Sequence, residues 1–576
     1  MRYVAWRGTG MRFFEVLRRD GPARLGRLML DRNITTPCII SPEDYVSAGS
    51  IFRHRNLEEA REAKVSLTES LPAGRRLVVL PYPYDLVNID IDIDAPRALV
   101  VDPGSPLPLK DADVYVLRAA GAISGARDLV NTLIEIRESI PPDAALYTPA
   151  LATPSNLSLL VYLGVDIVDS VRVEMDGYYS RYHTRDGLFQ RDELSELPCR
   201  CEHCSSGDTP AHNILKLEEE LVWVRECIRS GTLREYVERQ VRCVPWMTAA
   251  LRLLDTQERY MERRTPTHRG SVMYANTSES LRRVEVRRFV SRVLTRYRPP
   301  ESDVLLLLPC SARKPYSESR SHRLFRSAMG GMRRFVHELI LTSPLAIVPR
   351  ELEDVYPAAH YDTPVTGVWD LEERAWVINS LKSYLKKNRY TRIVAHLEGE
   401  LCDALRDGGI DAIYTGGGTG PEELERLREA LEFACASARP IGNFRLQEFR
   451  AKADFYFGAG AGDILTQGAR VKGNRLFDSA GRTLASINSG RIALTLDGAR
   501  RLLPLGVYIV RIGDFIPRGT VLAPGVVDAD EQIRPGDEVI VVSDYFLGTG
   551  RARMSGWEMV ASRRGVAVEL REGAEV

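Results

Sequence analysis

The sequence predicts a multidomain α/β protein that ends in a small all-β barrel. Three observations carry this. Short apolar runs alternate with amphipathic helical stretches over most of the chain. Beyond about residue 502 the pattern changes to short strands separated by Gly and Pro turns. The chain has 576 residues, and at ~100–200 residues per domain this length predicts three to five domains.

Residues 1–285 form the first expected domain. The runs "RRLVVLPYP", "RALVVDP", "DVYVLRAA", "AALYTPA" and "LLVYLGVDIVDS" alternate with helical stretches such as "ARDLVNTLIEIRESI", which predicts parallel strands joined by helices. Two Arg-rich helices follow in "LVWVRECIRSGTLREYVERQVRCVPWMTAALRLL", broken near Gly231. Within the domain, "LPCRCEHCSSGDTPAHN" offers Cys199, Cys201, Cys204 and His212. Three thiolates and an imidazole make a closed tetrahedral set for structural Zn2+, and the C-x-C-x2-C spacing lets one loop supply three ligands. His203 is the rival fourth ligand, cramped by its place between two of the cysteines. Incidental loop cysteines are the plainer alternative, and their scarcity elsewhere weighs against it.

Residues 286–438 form a second, Rossmann-like α/β domain. It starts with the strand "DVLLLLP" at 303–309 and continues with a loop, a helix at about 322–340, strand "LAIVP", helix "LEERAWVINSLKSYLKKN", strand "RIVAHL", a helix and strand "DAIYTGGG". A helix over 421–436 closes it. The loop "PCSARKPYSESRSH", 309–322, gathers a thiol, hydroxyls, a lysine and a histidine at a strand's carboxyl end, where open α/β sheets bind ligands. Lys314 suits a carboxylate or phosphate, and Ser317, Ser319, Ser321 and His322 supply short donors and acceptors. A Ser-rich helix cap explains one or two hydroxyls, but not Cys310, Lys314 and His322 together. Asp362 and the pair His396 and Glu398 are lesser candidates, with His396 equally readable as a satisfied core histidine.

Residues 439–501 are read as a small α+β domain, and residues 502–576 as the β barrel, where Arg511, Arg518, Arg551 and Arg553 are placed to meet phosphates. The charges cancel, 78 basic against 78 acidic, so any nucleic-acid contact is local rather than global. No apolar segment is long enough to span a membrane. The N-terminus lacks a signal-peptide core, and nine sparse cysteines suit a reducing compartment. A cytoplasmic protein is expected.

The stretch "GVDIVDS…YYSRYHTRDGLF…CRCEHC…HNILKLEEELVWVRECIRSGTLREYVERQVR" is similar to the archaeal tRNA-guanine transglycosylases, as is the opening "MRFFEVLRRDGPARLGRLMLDRNITTPCII". That resemblance implies a TIM-type barrel with structural zinc over roughly the first 285 residues. Asp169 stands where the family keeps a nucleophilic aspartate. Its second carboxylate has only the weak counterpart Asp102 in "VVDPG", and the Cys204-to-His212 spacing is shorter than in the family. The domain is therefore read as a shortened, zinc-stabilised barrel that positions tRNA. "FIPRGTVLAPGVVDADEQIRPGDEVIVVSDYFLGTGRARMSGWEM" resembles the PUA domain, an RNA-binding β barrel.

These parts, with the ungapped Pro-Cys-Ser-x-x-Lys-Pro-Tyr-x-x-Ser-x-Ser-His signature at 309–322, "YDTPVTGVWDLEE" and "ADFYFGAGAGDIL", resemble the archaeosine synthase family over essentially the whole chain. The resemblance implies addition of an amine to the nitrile of 7-cyano-7-deazaguanine in the tRNA D-loop. The expected donor is lysine, although glutamine-type donors have also been attached to the family. A radical-SAM partner enzyme and a homodimer are also expected. Cys310, Lys314, His322, Asp362 and Asp169 are the expected catalytic residues, and Ser311, Tyr316, Ser317, Ser319 and Ser321 the substrate-binding ones. A covalent route is favoured, with Cys310 activated by Arg313, Lys314 and His322 adding to the nitrile. The alternatives are Cys310 as a packed spacer, guanine exchange through Asp169, and a non-catalytic tRNA-binding protein.

Overall fold

The computed structural model describes residues 13–47, 65–66, 75–80, 89–90, 95–105, 112–364 and 368–576. The stretch read as lacking a signal-peptide core falls, for its first twelve residues, outside them. The chain divides into two compact units, Met1–Pro266 with Leu522–Pro524 and Glu558–Val566, and Thr267–Val521 with Gly525–Trp557 and Ala567–Val576.

In the first unit, the opening strands Phe14–Asp20, Ala23–Met29 and Asn33–Thr36 form an antiparallel sheet. The expected parallel strands come next. Their order in space is Cys38–Ile39, Ile167–Val168, Ala145–Tyr147, Val114–Leu117, Arg97–Val101, Leu77–Val79, Tyr45–Ser47, and every pairing is parallel. The earliest strand of the sheet thus lies beside the latest, and the rest follow in reverse chain order. The residues of Val114–Leu117 are all buried, as expected where both faces of a parallel sheet are covered. Phe14 and Leu28 of the antiparallel sheet join Val114, Ala145 and Ile167 in one core cluster.

The predicted break at Gly231 is a helix end. Thr209–Ser230 stops there because Gly231 takes the left-handed conformation, φ 70°, that a side chain would strain. Helices Leu233–Gln240 and Pro245–Asp255 follow.

The second unit is built on a five-stranded sheet, ordered Ala346–Pro349, Val336–Thr342, Val304–Pro309, Arg392–Ala395, Ile413–Tyr414. The central strand alternates its side chains between two cores. Val304, Leu306 and Leu308 pack with Phe325, Leu427 and Leu431, from helices Arg320–Met329 and Pro421–Cys435. Leu305 and Leu307 pack with Phe289 and Leu381, from helices Val284–Thr295 and Leu371–Lys387.

One element differs from expectation. The helix expected at about 322–340 ends at Met329, and 336–342 is a fully buried strand paired parallel to the central one. Gly330 and Gly331 stop the helix, and the apolar run "VHELILT" buries both faces as a strand. A short apolar run fits either structure by periodicity alone.

The remainder of this unit holds helices Phe444–Phe457 and Ala461–Thr466, a four-stranded antiparallel sheet over 470–494, and a C-terminal six-stranded sheet. The C-terminal sheet is ordered Thr520–Leu522, Val566–Glu575, Phe546–Ala552, Glu538–Ser543, Ile509–Ile512, Val526–Ala529. No helix among the described residues is long and apolar enough to cross a membrane.

Candidate active site

The central strand Val304–Pro309 pairs on one side with Val336–Thr342 and on the other with Arg392–Ala395. Chain order therefore reverses direction across it. The crevice beyond its carboxyl end is the ligand-binding position of an open α/β sheet. Cys310 is the first residue out of this strand, and "SARKPYSESRSH" continues from it as a loop that leads into helix Arg320–Met329.

Lys314 lies over the Tyr361 ring, its Nζ 4.0 Å from the ring centre. Burial pushes this ammonium below the ordinary lysine value, against the pull of Cys310 and Asp362. Tyr361 and Asp362 form a two-residue strand paired with Met273–Tyr274. Strand alternation points Tyr361 inward and leaves Asp362 exposed. The Tyr361 hydroxyl bonds those of Thr342, at 2.6 Å, and Tyr316, at 2.9 Å.

Cys310 is half-buried. Burial pushes its thiol up, while the Thr342 hydroxyl and Lys314 pull it down less strongly. This corrects the expectation of a thiol depressed by Arg313, Lys314 and His322. Arg313 turns outward to Glu318, 3.0 Å away. His322 is spent on the scaffold: Nε2 bonds the Pro309 carbonyl at 3.0 Å, and Nδ1 lies 2.8 Å from an Arg350 nitrogen. The imidazole therefore donates from Nε2 and accepts at Nδ1. Burial and the Arg350 charge push its pKa down to about 4.

The serines divide in the same way. Ser319 caps helix Arg320–Met329 by accepting the His322 N–H at 3.2 Å, and its hydroxyl lies 3.2 Å from that of Ser321. The Ser311 hydroxyl donates to the Arg313 carbonyl at 2.9 Å. The Ser317 N–H donates to Glu353 at 2.9 Å. Arg350 binds Glu338 and Glu353 beneath the loop, at 2.8 and 2.7 Å. His396 is a fully buried core histidine, bonded to Thr415 at 2.7 Å and the Gly418 carbonyl at 2.8 Å. Sequence reasoning missed Thr342, Arg350 and Glu353. Tyr361 lies in "YDTPVTGVWDLEE", next to the expected catalytic residue Asp362.

In the first unit, Asp169 leaves strand Ile167–Val168 buried and well held. It accepts from the Tyr147 hydroxyl at 2.7 Å and from the Ala150 and Val171 N–H groups at 3.0 and 3.1 Å. Asp102 pairs with Arg118 at 2.6 Å.

The ligand atoms of Cys199, Cys201, Cys204 and His212 lie within 4.8 Å of one another, a group that can hold a metal ion. The Cys201 sulfur is 3.5 Å from that of Cys204, and His212 Nδ1 is 3.5 and 3.3 Å from the two. A tetrahedral ion with ~2.3 Å bonds to sulfur would set the sulfurs ~3.8 Å apart, so the spacing fits. His212 Nε2 bonds the His183 carbonyl at 3.0 Å, which fixes the proton there and turns the Nδ1 lone pair to the cysteines. The neighbouring Asn213 receives the His183 N–H and donates to the Val173 and Arg181 carbonyls, each at 2.9 Å, locking the loop. His203 stands outside the group.

On the C-terminal sheet, Arg511 and Arg518 are exposed. Arg553 pairs with Glu569. Arg551 is half-buried beside Glu538 and Arg571.

Comparison with known proteins agrees with this layout. Residues 286–431 match a family described as a domain of unknown function (DUF5591), and residues 512–574 match the PUA domain. The archaeosine synthase subunit alpha of Methanosarcina acetivorans is 42% identical, over 97% of this chain and 99% of its own. The archaeosine synthase of Haloferax volcanii is 39% identical, over 98% and 99%. The tRNA-guanine(15) transglycosylase of Methanothermobacter thermautotrophicus is 27% identical, over 78% and 69%. A multidomain α/β chain with this loop at its sheet's switch point, a C-terminal PUA domain and full-length relatives named archaeosine synthase or its subunit alpha belongs to the archaeosine synthase family.

Proposed function

We propose that this protein is a tRNA-modifying transferase that adds an amine to the nitrile of 7-cyano-7-deazaguanine in tRNA, forming the amidine on the way to archaeosine. The observation that carries the reading is the cluster at the strand end, where Lys314 lies on the Tyr361 ring and Cys310 and Asp362 act on its charge. A half-buried thiol, with a half-buried amine held on a nearby aromatic face, suits attack on an unsaturated carbon.

The chemistry follows from the atoms available. Lys314 in its neutral form takes the Cys310 proton, and the thiolate adds to the nitrile carbon. A carbon–sulfur bond forms, and the π electrons move to nitrogen, which takes a proton from Lys314. The amine donor then attacks the resulting thioimidate, and the carbon–sulfur bond breaks. Its surplus proton returns through Lys314 to the departing sulfur, leaving the amidine. The acid–base role expected of His322 falls to Lys314, because both His322 nitrogens are engaged. His322, Ser319 and Ser321 shape the loop, and Asp362 favours the charged form of Lys314 against its burial.

The parallel sheet, whose first and last strands adjoin, supports a shortened barrel that carries tRNA, with Asp169 as a scaffold carboxylate. The cysteine cluster would hold Zn2+, which when bound clamps the loop to helix Thr209–Ser230. The amine donor is an amino acid, with lysine the first choice. The subunit name of the Methanosarcina relative adds a partner subunit to this reading, for which the radical-SAM enzyme is our candidate.

The test is mass spectrometry of nucleosides from cyano-deazaguanine tRNA incubated with the protein and single amino acids. A mass gain equal to one donor, lost in Cys310→Ala with tRNA affinity kept, is the expected result. No gain with any donor rejects the synthase reading, and full turnover by Cys310→Ala rejects the covalent route.

A further inference from the structure

The parallel register places Pro309 opposite Leu341, so Cys310 and Thr342 leave neighbouring strands side by side. Behind Thr342 lie two tyrosine hydroxyls. Thr342 Oγ1 is 2.6 Å from the Tyr361 hydroxyl, which is 2.9 Å from that of Tyr316. Tyr316 is fully buried, and among the described residues its hydroxyl meets no partner outside these two groups.

Counting hydrogens gives this chain a direction. Three hydroxyls carry three hydrogens, and the two close contacts hold two of them. Thr342 has a single hydrogen and gives it to an acceptor outside the set, so it must accept from Tyr361, and two such acceptors lie at its end. One is the Ser343 carbonyl, 3.1 Å from Thr342 Oγ1. The other is the Cys310 sulfur, which the strand register sets beside Thr342. Tyr316 therefore donates to Tyr361, Tyr361 donates to Thr342, and Thr342 donates onward.

We propose that Thr342 is a positioning residue for Cys310, a donor that turns from the Ser343 carbonyl onto the sulfur when the thiol gives up its proton. The two tyrosines keep the Thr342 lone pair occupied, so its hydrogen faces outward in either state. Ionisation needs only rotation about one bond. The proton released goes to the neutral Lys314 amine, which becomes ammonium and stays beside the thiolate. The catalytic meaning of this device rests on the proposed function, whereas the effect on the thiol does not.

The test is therefore made without RNA. The full-length protein is labelled with iodoacetamide across a pH series, and the rate is read on the Cys310 peptide by mass spectrometry. Thr342→Val and Thr342→Ala remove the donor, and each is expected to raise the labelling midpoint by about one pH unit, the scale of one hydrogen bond to a charged group. Thr342→Ser keeps the donor and is expected to titrate with the parent protein. The inference is overturned if the hydroxyl-free variants titrate with the parent, or if Thr342→Ser titrates with them. Two hydroxyl-free variants are used so that a misfolded one leaves the other to decide. Loss of amidine in Cys310→Ala is a separate measurement. If Cys310 proves dispensable while the midpoints still shift, the proposed chemistry fails and the tuning stands.

Discussion

The Lys314 ammonium lies 4.0 Å from the centre of the Tyr361 ring, with Cys310 and Asp362 as the groups that favour its charge. The ring face also favours the cation. Burial opposes all three and prevails. The balance leaves an amine that changes protonation more readily than a solvated lysine.

If the neutral amine is the proton acceptor, amidine formation should rise with pH through the Lys314 pKa. That limb should lie below the usual lysine range, since burial pushes this group down. Lys314→Arg keeps the charge but does not deprotonate, so it should lose roughly 100-fold or more in turnover. Lys314→Met should lose a similar factor while binding tRNA normally. A Lys314→Arg enzyme with parent kinetics would remove Lys314 from proton transfer.

His322 makes the loop acid-sensitive. Its folded pKa is about 4 against an ordinary 6.5, so between these values the unfolded chain binds a proton that the folded chain refuses. Stability is complete above about pH 6.5 and falls as the pH drops toward 4, by at most about 3 kcal/mol for this group. Hydrogen exchange of 304–329, corrected for its intrinsic pH dependence, should therefore accelerate on going from pH 7 to pH 5. His322→Asn should flatten that change, although it starts from a less protected loop.

How far the site was legible follows from where its residues sit in the chain. Cys310 and Lys314 stand in one continuous motif after an unmistakable apolar run, so their place at a strand end was readable. The cysteine–histidine cluster was readable for the same reason: three of its residues share one short loop and the fourth lies in the first turn of the next helix. Thr342 was hidden because "VHELILT" fits either helix or strand, and only pairing with 304–309 brings its last residue to Cys310. The fate of His322 was equally hidden. Its partner Arg350 is 28 positions away, and local sequence cannot show that a histidine's two nitrogens are already taken. The same limit explains the thiol, whose burial is a tertiary property that outweighs the nearby lysine.

The cysteine cluster should contain about one zinc per chain by elemental analysis of the full-length protein. Cys201→Ser and His212→Ala each remove a ligand, and should lower the metal content and expose 199–213 to hydrogen exchange. The effect should stay within the first unit and leave Cys310 labelling unchanged. Full metal content in Cys201→Ser would show that this cluster is not the site.

The four arginines singled out on the C-terminal module should not contribute equally to tRNA binding. Arg511 lies on strand Ile509–Ile512, whose other residues are buried, so its side chain faces solvent. Arg518 is exposed on the loop that follows. Neither has a carboxylate within ion-pair distance among the described residues, so each can meet a phosphate with no existing bond to break. Arg553 must first release Glu569, and Arg551 is held half-buried beside Glu538. One phosphate contact contributes about 0.7–0.9 to the slope of log affinity against log salt. Arg511→Ala and Arg518→Ala should each flatten the slope by about that amount, and together by about twice as much. Arg553→Ala should change it less, because the parent interaction already spends part of the charge on Glu569. Filter binding of tRNA over a salt series measures all four variants. Equal slopes in the parent and the Arg511→Ala, Arg518→Ala double variant would move the RNA contact to another face of the module.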